Sequence, residues 1–313
     1  MPESHLSAAQ TSRPPTATRH VAVCICTYKR LPLLRRLLEA LERQRCDASI
    51  TFGIVVADND AKRSAENLVT EFGVRSKIGT TYCCESIQNI ALVRNRAIAN
   101  ATGDLIAFLD DDEFPNDDWL MNLVSTLDHF SASGVLGPVR PHFENTPPSW
   151  IVKGGFCERP EYPTGTKLDW AKCRTGNVLF RRAILSAGTP PFRIEFGTGG
   201  EDVDFFQRMA DAGCVFVWCN EAPAYETVPP SRWTRRFMLQ RALLRGKNSF
   251  ERPDGRAALL LKSLVATPLY LLFLPITLLM GQHRFMKYSI KLCDHLGRLL
   301  AWARINPMTS RPM

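Results

Sequence analysis

From His20 the chain continues Val21-Ala22-Val23-Cys24-Ile25-Cys26, almost wholly apolar, which predicts a short strand buried on both faces of a parallel sheet. Thr27-Tyr28-Lys29-Arg30 breaks that run. From about Leu31, Leu34, Leu37, Leu38 and Leu41 recur at helical spacing, and Pro32 suits a first turn. The alternation then repeats. Phe52 to Ala57 predicts a second strand ending at Asp58, Ser64 to Phe72 a helix, Thr80 to Cys84 a weaker strand, and Gln88 to Ala101 a helix that Gly103 can terminate. Leu105 to Leu109 predicts another buried strand, which runs straight into Asp110-Asp111-Asp112-Glu113. A helix over Asp118 to Phe130 and a strand near Val135 to Val139 follow, then a loop rich in Pro, Gly and Trp from Pro141 to Trp170. Thr175-Gly176-Asn177 lies within Lys172 to Phe180; Gly199-Gly200-Glu201-Asp202 opens a helix to about Ala212, and Cys214 to Cys219 is the last strand expected. Such alternation predicts an α/β fold, a mostly parallel sheet with helices on both faces. Ligands of such sheets bind beyond the carboxyl ends of the strands, where Thr27, Asp58 and Asp110 to Asp112 all fall.

The pattern changes after Pro230. Ser231 to Lys247 predicts a basic helix, and Ser263 to Met280 is a run of uncharged, mostly apolar residues that reaches back to Ala257 if Lys262 is tolerated. As a helix it would measure about 36 Å, against about 30 Å of bilayer hydrocarbon. Pro268 and Pro275 are expected to interrupt it. Arg252, Arg256 and Lys262 precede it and His283, Arg284, Lys287 and Lys291 follow, so both flanks favour the cytoplasmic face and a re-entrant or interfacial segment. A single span and a buried helix pair are the alternatives. Tyr288 to Trp302 reads as an amphipathic surface helix.

Composition narrows the picture. With 313 residues, 45% hydrophobic and 22% charged, the chain is of folded type, long enough for two domains or for one α/β domain with appendages. The net charge of +8 is uneven: residues 1–230 hold 24 basic and 28 acidic residues, and 231–313 hold 15 and 3. An acidic body with a basic tail argues against nucleic acid and for an anionic membrane surface. The ten cysteines form no CxxC pair or zinc spacing, so they are expected to be reduced, small apolar residues. Residues 1–19, rich in Ser, Thr, Pro and Ala and without the apolar core of a signal peptide, are expected to be a loose tail.

The acidic run carries the strongest chemistry. Carboxylates facing one crevice repel one another unless a cation joins them, and Mg2+ takes one or two protein carboxylates with phosphate and water. A capped turn accounts for Asp117 and Asp118 but not for the three acids at the strand end. Asp58 alone could be an Asx turn with Asn59 and Asp60. Arg94 could be solvated surface charge or could reach a nucleotide diphosphate. Glu201 and Asp202 could simply sit at a helix start, or one of them could act as general base on an acceptor hydroxyl.

Taken in order, Val21 to Arg30 (VAVCICTYKR), Ile54 to Asn59 (IVVADN), Leu92 to Gly103 (LVRNRAIANATG), Phe108 to Leu120 (FLDDDEFPNDDWL), Thr175-Gly176-Asn177 and Gly199 to Arg208 (GGEDVDFFQR) resemble the motifs of family 2 glycosyltransferases with the GT-A fold. The likeness extends to bacterial exopolysaccharide transferases of the succinoglycan-assembly type. It implies a nucleotide-diphosphate sugar donor, with a UDP-sugar expected, inversion at the anomeric carbon, and Mg2+ or Mn2+. It implies that Thr27, Tyr28 and Arg94 touch the nucleotide-sugar, Asp58 the base, and Asp110 and Asp111 ribose or metal. Asp112, with Asp110, would ligate the metal, Gly176 and Asn177 would meet the acceptor, and Asp202 would be the base with Glu201 beside it. Two departures stand out: Asp58-Asn59-Asp60-Ala61 replaces the usual Asp followed by Gly-Ser, and Pro230-Ser231-Arg232-Trp233 keeps only the last two residues of a Gln-x-x-Arg-Trp motif. The second argues for single-sugar addition. The expected organisation is a tail to 19, a glycosyltransferase domain over 20–230, a basic linker helix over 231–256 and a membrane-associated segment over 257–313. The expected place is the bacterial inner membrane with the catalytic domain cytoplasmic and a lipid-linked glycan as acceptor; a polyprenyl-phosphate sugar synthase and a non-catalytic nucleotide-sugar binding module are the alternatives.

Overall fold

The computed structural model describes residues 18–305 apart from 187, 198 and 252–254, so the expected tail lies outside the described residues as far as position 17. In chain order the elements are β1 (Arg19–Thr27), α1 (Leu31–Glu42), β2 (Ile50–Asp58), α2 (Glu66–Arg75), β3 (Thr80–Cys84), α3 (Ile90–Asn100), β4 (Leu105–Asp110), β5 (Glu113–Pro115) and α4 (Trp119–His129). There follow β6 (Gly134–Leu136), β7 (Val139–His142), α5 (Ser149–Gly154), β8 (Val178–Arg181), α6 (Glu201–Asp211), β9 (Phe216–Trp218) and β10 (Ala224–Thr227), then α7 (Arg235–Glu251), α8 (Arg256–Leu279) and α9 (Gln282–Trp302). They form two compact units: residues up to Arg140 with Arg159–Glu226, and Pro141–Glu158 with the chain from Thr227 onward.

In the first unit a seven-stranded sheet has the order β3-β2-β1-β4-β8-β6-β9. The pairs β1–β2, β1–β4, β2–β3 and β6–β9 are parallel, and β8 runs antiparallel to both β4 and β6. Strand alternation sorts β1 between two cores. Val21, Val23 and Ile25 meet Leu34, Leu37, Leu38 and Leu41 of α1 and Trp119 of α4; Cys24 meets Val93 and Ala97 of α3 and the phenylalanines Phe108, Phe180 and Phe205. Register decides where the chemistry goes: Thr27 pairs with Asp58, and Cys26 with Asp110, so three strands deliver their polar ends to one rim. All ten cysteines are free.

The second unit gathers Ile151, Val228 and Trp233 under Phe143, Trp150, Phe156 and Met238. Those aromatic contacts help to group Pro141–Glu158 with the C-terminal helices rather than with the first unit. Helix α8 is the one helix among the described residues that is long and apolar enough, by length and composition, to cross a membrane. The expected interruption at its prolines is corrected: Pro268 and Pro275 both lie inside one continuous helix. Seven residues apart, they share its exposed side, where no neighbouring element crowds the rings and a missing N–H bond costs least.

Candidate active site

The turn Tyr28-Lys29-Arg30 between β1 and α1 brings Lys29 into the left-handed region at φ 55° and sets Arg30 beside the acidic run. Arg30 Nη1 donates to Asp111 Oδ1 at 3.0 Å and to Asp112 Oδ2 at 3.1 Å, while the Thr27 hydroxyl donates to Asp111 Oδ2 at 2.9 Å. Asp111 is thus committed to the protein on both oxygens. Tyr28 stays exposed at the rim, with Lys29 Nζ 4.7 Å from its ring centre. Burial first, then Asp110, Glu226 and Asp111, push the Asp112 carboxyl up to about 6, with Arg30 opposing. Burial likewise raises Asp111, against Arg30 and Thr27.

Glu113 extends the cluster downward. It sits on β5 opposite Glu226 of β10, a like-charge pair that a sheet does not favour. Burial, then Asp110, pushes Glu113 well above the usual carboxylate range, and Arg159, ion-paired with Glu226, works the other way. Glu113 Oε2 accepts the Asp110 N–H at 3.2 Å, and among the described residues its Oε1 has no hydrogen-bond partner. Gly176 lies against this carboxylate: a Cβ there would stand 2.7 Å from Glu113 Oε1 and 3.2 Å from Asp110 Oδ2. A side chain at 176 would displace both acids.

Arg94 ties the acidic rim to α6. It is 6% exposed, not the solvated surface arginine that its sequence position allows. Its Nη1 donates to Glu201 Oε1, and its Nη2 lies 3.6 Å from Asp110 Oδ1. Burial alone would lower its pKa, but Asp110 and Glu201 outweigh it and hold the guanidinium charged, with Asp202 adding to the effect. Breaking a buried pair from one side leaves a bare charge, which costs about 3–5 kcal/mol. Arg94→Met is therefore expected to lose about that much stability in urea unfolding, and Arg94→Met/Glu201→Met to recover most of it; equal loss in both variants would contradict the pairing.

Glu201 and Asp202 occupy the first turn of α6, preceded by Gly199 and Gly200 at φ 126° and 99°, values that glycine alone adopts easily. Asp202 is half-buried, and its Oδ1 accepts the Val203 N–H at 2.8 Å.

Two of the expected ligand residues have most of their hydrogen-bonding groups engaged by the protein. Asp58 is fully buried, accepting from the N–H groups of Asp60 at 3.0 Å and Ala65 at 2.8 Å and from the Tyr82 hydroxyl at 3.2 Å. It forms the Asx turn, and Asp60, ion-paired with Lys29 at 3.9 Å, follows it. Asn177 is also fully buried, in the left-handed region at φ 53°. It accepts from Trp119 Nε1 at 2.7 Å and donates to the carbonyls of Pro138 at 2.8 Å and Ala222 at 2.9 Å, so both its N–H groups are spent and its amide clips the core together.

Three arginines, Arg30, Arg94 and Arg159, supply much of the positive charge that the acids require. Sequence reasoning gave Arg30 and Arg159 no role; the TYKR end of the first motif was the available signal for Arg30. Among the described residues no group of three or more His, Cys, Asp or Glu side chains is disposed to hold a metal. Asp110, beside Arg94, and Asp112, beside Arg30, are acids of the right kind: one or two carboxylates suit Mg2+ or Mn2+ completed by phosphate and water.

The profile of Glycosyl transferase family 2 matches residues 22–188. Over 239 residues the chain is 36% identical to the Succinoglycan biosynthesis protein ExoM of Rhizobium meliloti (strain 1021), covering 74% of this chain and 75% of that one. Among solved structures, S. aureus TarS 1-349 in complex with UDP has a TM-score of 0.53 at 18% identity, over 76% of this chain and 68% of that one. GalNAc-T7 with UDP, GalNAc and Mn2+ has a TM-score of 0.53 at 12% identity, over 70% and 45%. At such identities these two structures speak to the fold alone.

Proposed function

We propose, from the premise that this chain belongs to glycosyl transferase family 2 and has the GT-A fold, that it adds one sugar from a nucleotide-diphosphate donor to a hydroxyl of a lipid-linked glycan. The setting we infer is bacterial exopolysaccharide assembly, a reading supported by its Rhizobium relative, which is named a succinoglycan biosynthesis protein. One observation carries the reading: Arg94 joins Asp110, at the end of β4, to Glu201 and its neighbour Asp202 in the first turn of α6. In this reading Asp110 is the donor-side and Asp202 the acceptor-side carboxylate, and the arginine links the elements that carry them.

In this mechanism Thr27 and Tyr28 border the nucleotide, and Arg30 keeps Asp111 and Asp112 in place. Asp112 and Asp110 would hold Mg2+ or Mn2+, which offsets charge on the departing diphosphate when bound. Asp202 takes the proton of the acceptor hydroxyl. The acceptor oxygen then forms its bond to the anomeric carbon from the face opposite the diphosphate, whose bond to that carbon breaks, so the configuration inverts. UDP is the expected nucleotide, since TarS is described with UDP. The incomplete Gln-x-x-Arg-Trp motif supports one addition rather than processive synthesis. We place the protein at the inner membrane with the catalytic unit in the cytoplasm.

The test uses membranes containing the full chain, supplied with radiolabelled UDP-, GDP- and dTDP-sugars and a lipid extract from an exopolysaccharide-producing strain. One donor is expected to label an organic-soluble product carrying one added sugar, and chelation is expected to abolish labelling. Labelled high-molecular-weight polymer would overturn the single-addition reading, and a product with a single sugar directly on a polyprenyl phosphate would overturn the glycan acceptor.

A further inference from the structure

Helix α8 is built inside out. Its buried residues are the hydroxyl-bearing Ser263, Thr267 and Thr277, whereas Leu261, Leu264, Leu269, Leu272, Ile276 and Leu279 are each half exposed or more. A helix on a water-facing surface turns its apolar stripe inward, and an apolar patch of this extent marks an interaction surface.

What covers it is indicated by α9. His295 Nδ1 and the Ser263 hydroxyl form a hydrogen bond of 3.0 Å, and the Tyr270 ring lies 5.6 Å from the rings of both His295 and Tyr288. Contacts that climb one helix while descending the other define an antiparallel hairpin, with α9 alongside most of α8. Helix α9 is in turn fastened to the polar helix α7. Arg245 donates to both oxygens of Asp294 at 2.8 and 2.6 Å. The backbones meet where Gly246 and Gly297 face each other: a Cβ at either would stand 2.1 or 2.2 Å from a carbonyl oxygen of the opposite helix. On its exposed side α9 presents Arg284, Lys287 and Lys291, spaced three and four apart on one face.

A spanning α8 is incompatible with this packing. It would carry α9, with Arg284, Lys287, Lys291 and Asp294, into hydrocarbon, where charges are expensive, and would put the cations at its two ends on opposite sides of the membrane. Lying in the plane, the same hairpin leaves every charge at headgroup level. We propose that α8 and α9 form an in-plane docking hairpin on an anionic phospholipid leaflet. The leucine arc of α8 enters the acyl layer, Arg284, Lys287 and Lys291 meet headgroup phosphates, and both ends of α8 stay on one side. The inference rests on the membrane location given under the proposed function and defines its topology.

The test has two parts, so that topology and membrane location fail separately. With green fluorescent protein or alkaline phosphatase joined after Met313 of the full chain, the in-plane hairpin is expected to give bright fluorescence and no phosphatase activity. The reverse, the signature of a span, overturns the proposal while leaving membrane location intact. The purified full chain is then floated with vesicles of phosphatidylcholine alone or with 30% phosphatidylglycerol. Binding is expected only to the anionic vesicles, and Arg284→Gln/Lys287→Gln/Lys291→Gln is expected to weaken it on the order of 100-fold. Unchanged binding by this variant overturns the headgroup contact. A soluble dimer that floats with neither vesicle, a second copy covering α8, overturns both the docking surface and the membrane location.

Discussion

Replacing Asp112 by Asn is expected to lower kcat/KM for sugar transfer by on the order of 1,000-fold, about 4 kcal/mol of transition-state stabilisation, while leaving thermal stability unchanged or higher. Both directions follow from one electrostatic fact. Burial, then Asp110, Glu226 and Asp111, push the Asp112 carboxyl up to about 6, so the folded protein holds its negative charge at a cost that Arg30, at 3.1 Å, partly offsets. Asparagine keeps the shape and discards the charge, which relieves the repulsion. The same charge is what a divalent ion on the diphosphate requires, and such an ion contributes several kcal/mol to the transition state. Thermal unfolding and steady-state rates on one preparation separate the effects. Activity within tenfold of the unsubstituted protein would remove Asp112 from the site, and a collapse of stability would mean that it is a structural acid.

The second large effect concerns Asp202. Asp202→Asn is expected to reduce kcat by 100- to 10,000-fold, the range of a lost general base, with the KM for the donor little changed. The carboxylate stands in the first turn of α6, and only its Oδ1 accepts a protein hydrogen bond among the described residues, so it has capacity for an acceptor proton. Glu201→Gln supplies the comparison: Glu201 is 4% exposed and bound to Arg94, and its loss is expected to show first in stability. Full activity of Asp202→Asn on the authentic acceptor would refute base catalysis and favour an acceptor that is already ionised, such as a phosphate.

The parallel half of the sheet was legible because its strands are buried on both faces, and β1, β2 and β4 each announce themselves as apolar runs ending in a polar residue. The rim was legible for the same reason, since strand ends locate Thr27, Asp58 and the acidic run without any knowledge of side chains. What the rim residues do was less so. Asp58 and Asn177 look like ligands in a sequence, but their hydrogen bonds come from Ala65, Tyr82, Trp119, Pro138 and Ala222, partners that local spacing does not supply. Arg94 hid behind the same limit, its partner Glu201 lying far along the chain. The strands β5 and β10, three and four residues long, are too short to show a period, so Glu113 and its opposite Glu226 gave no signal as a pair. Proline rules foretold breaks in α8 that an exposed helical face accommodates.

The second compact unit is assembled from two separate stretches of chain, and this sets the terms for dissecting the protein. Ending the polypeptide at Glu226 to free the catalytic unit would remove Val228, Trp233 and Met238 but retain Ile151, Trp150 and Phe156, the residues they cover. The truncated product would carry a new sticky surface of its own making, and poor solubility would be blamed on the wrong helix. A soluble catalytic fragment calls for removal of both stretches that pack together, the C-terminal helices and the segment after β7 that carries Trp150, Ile151 and Phe156.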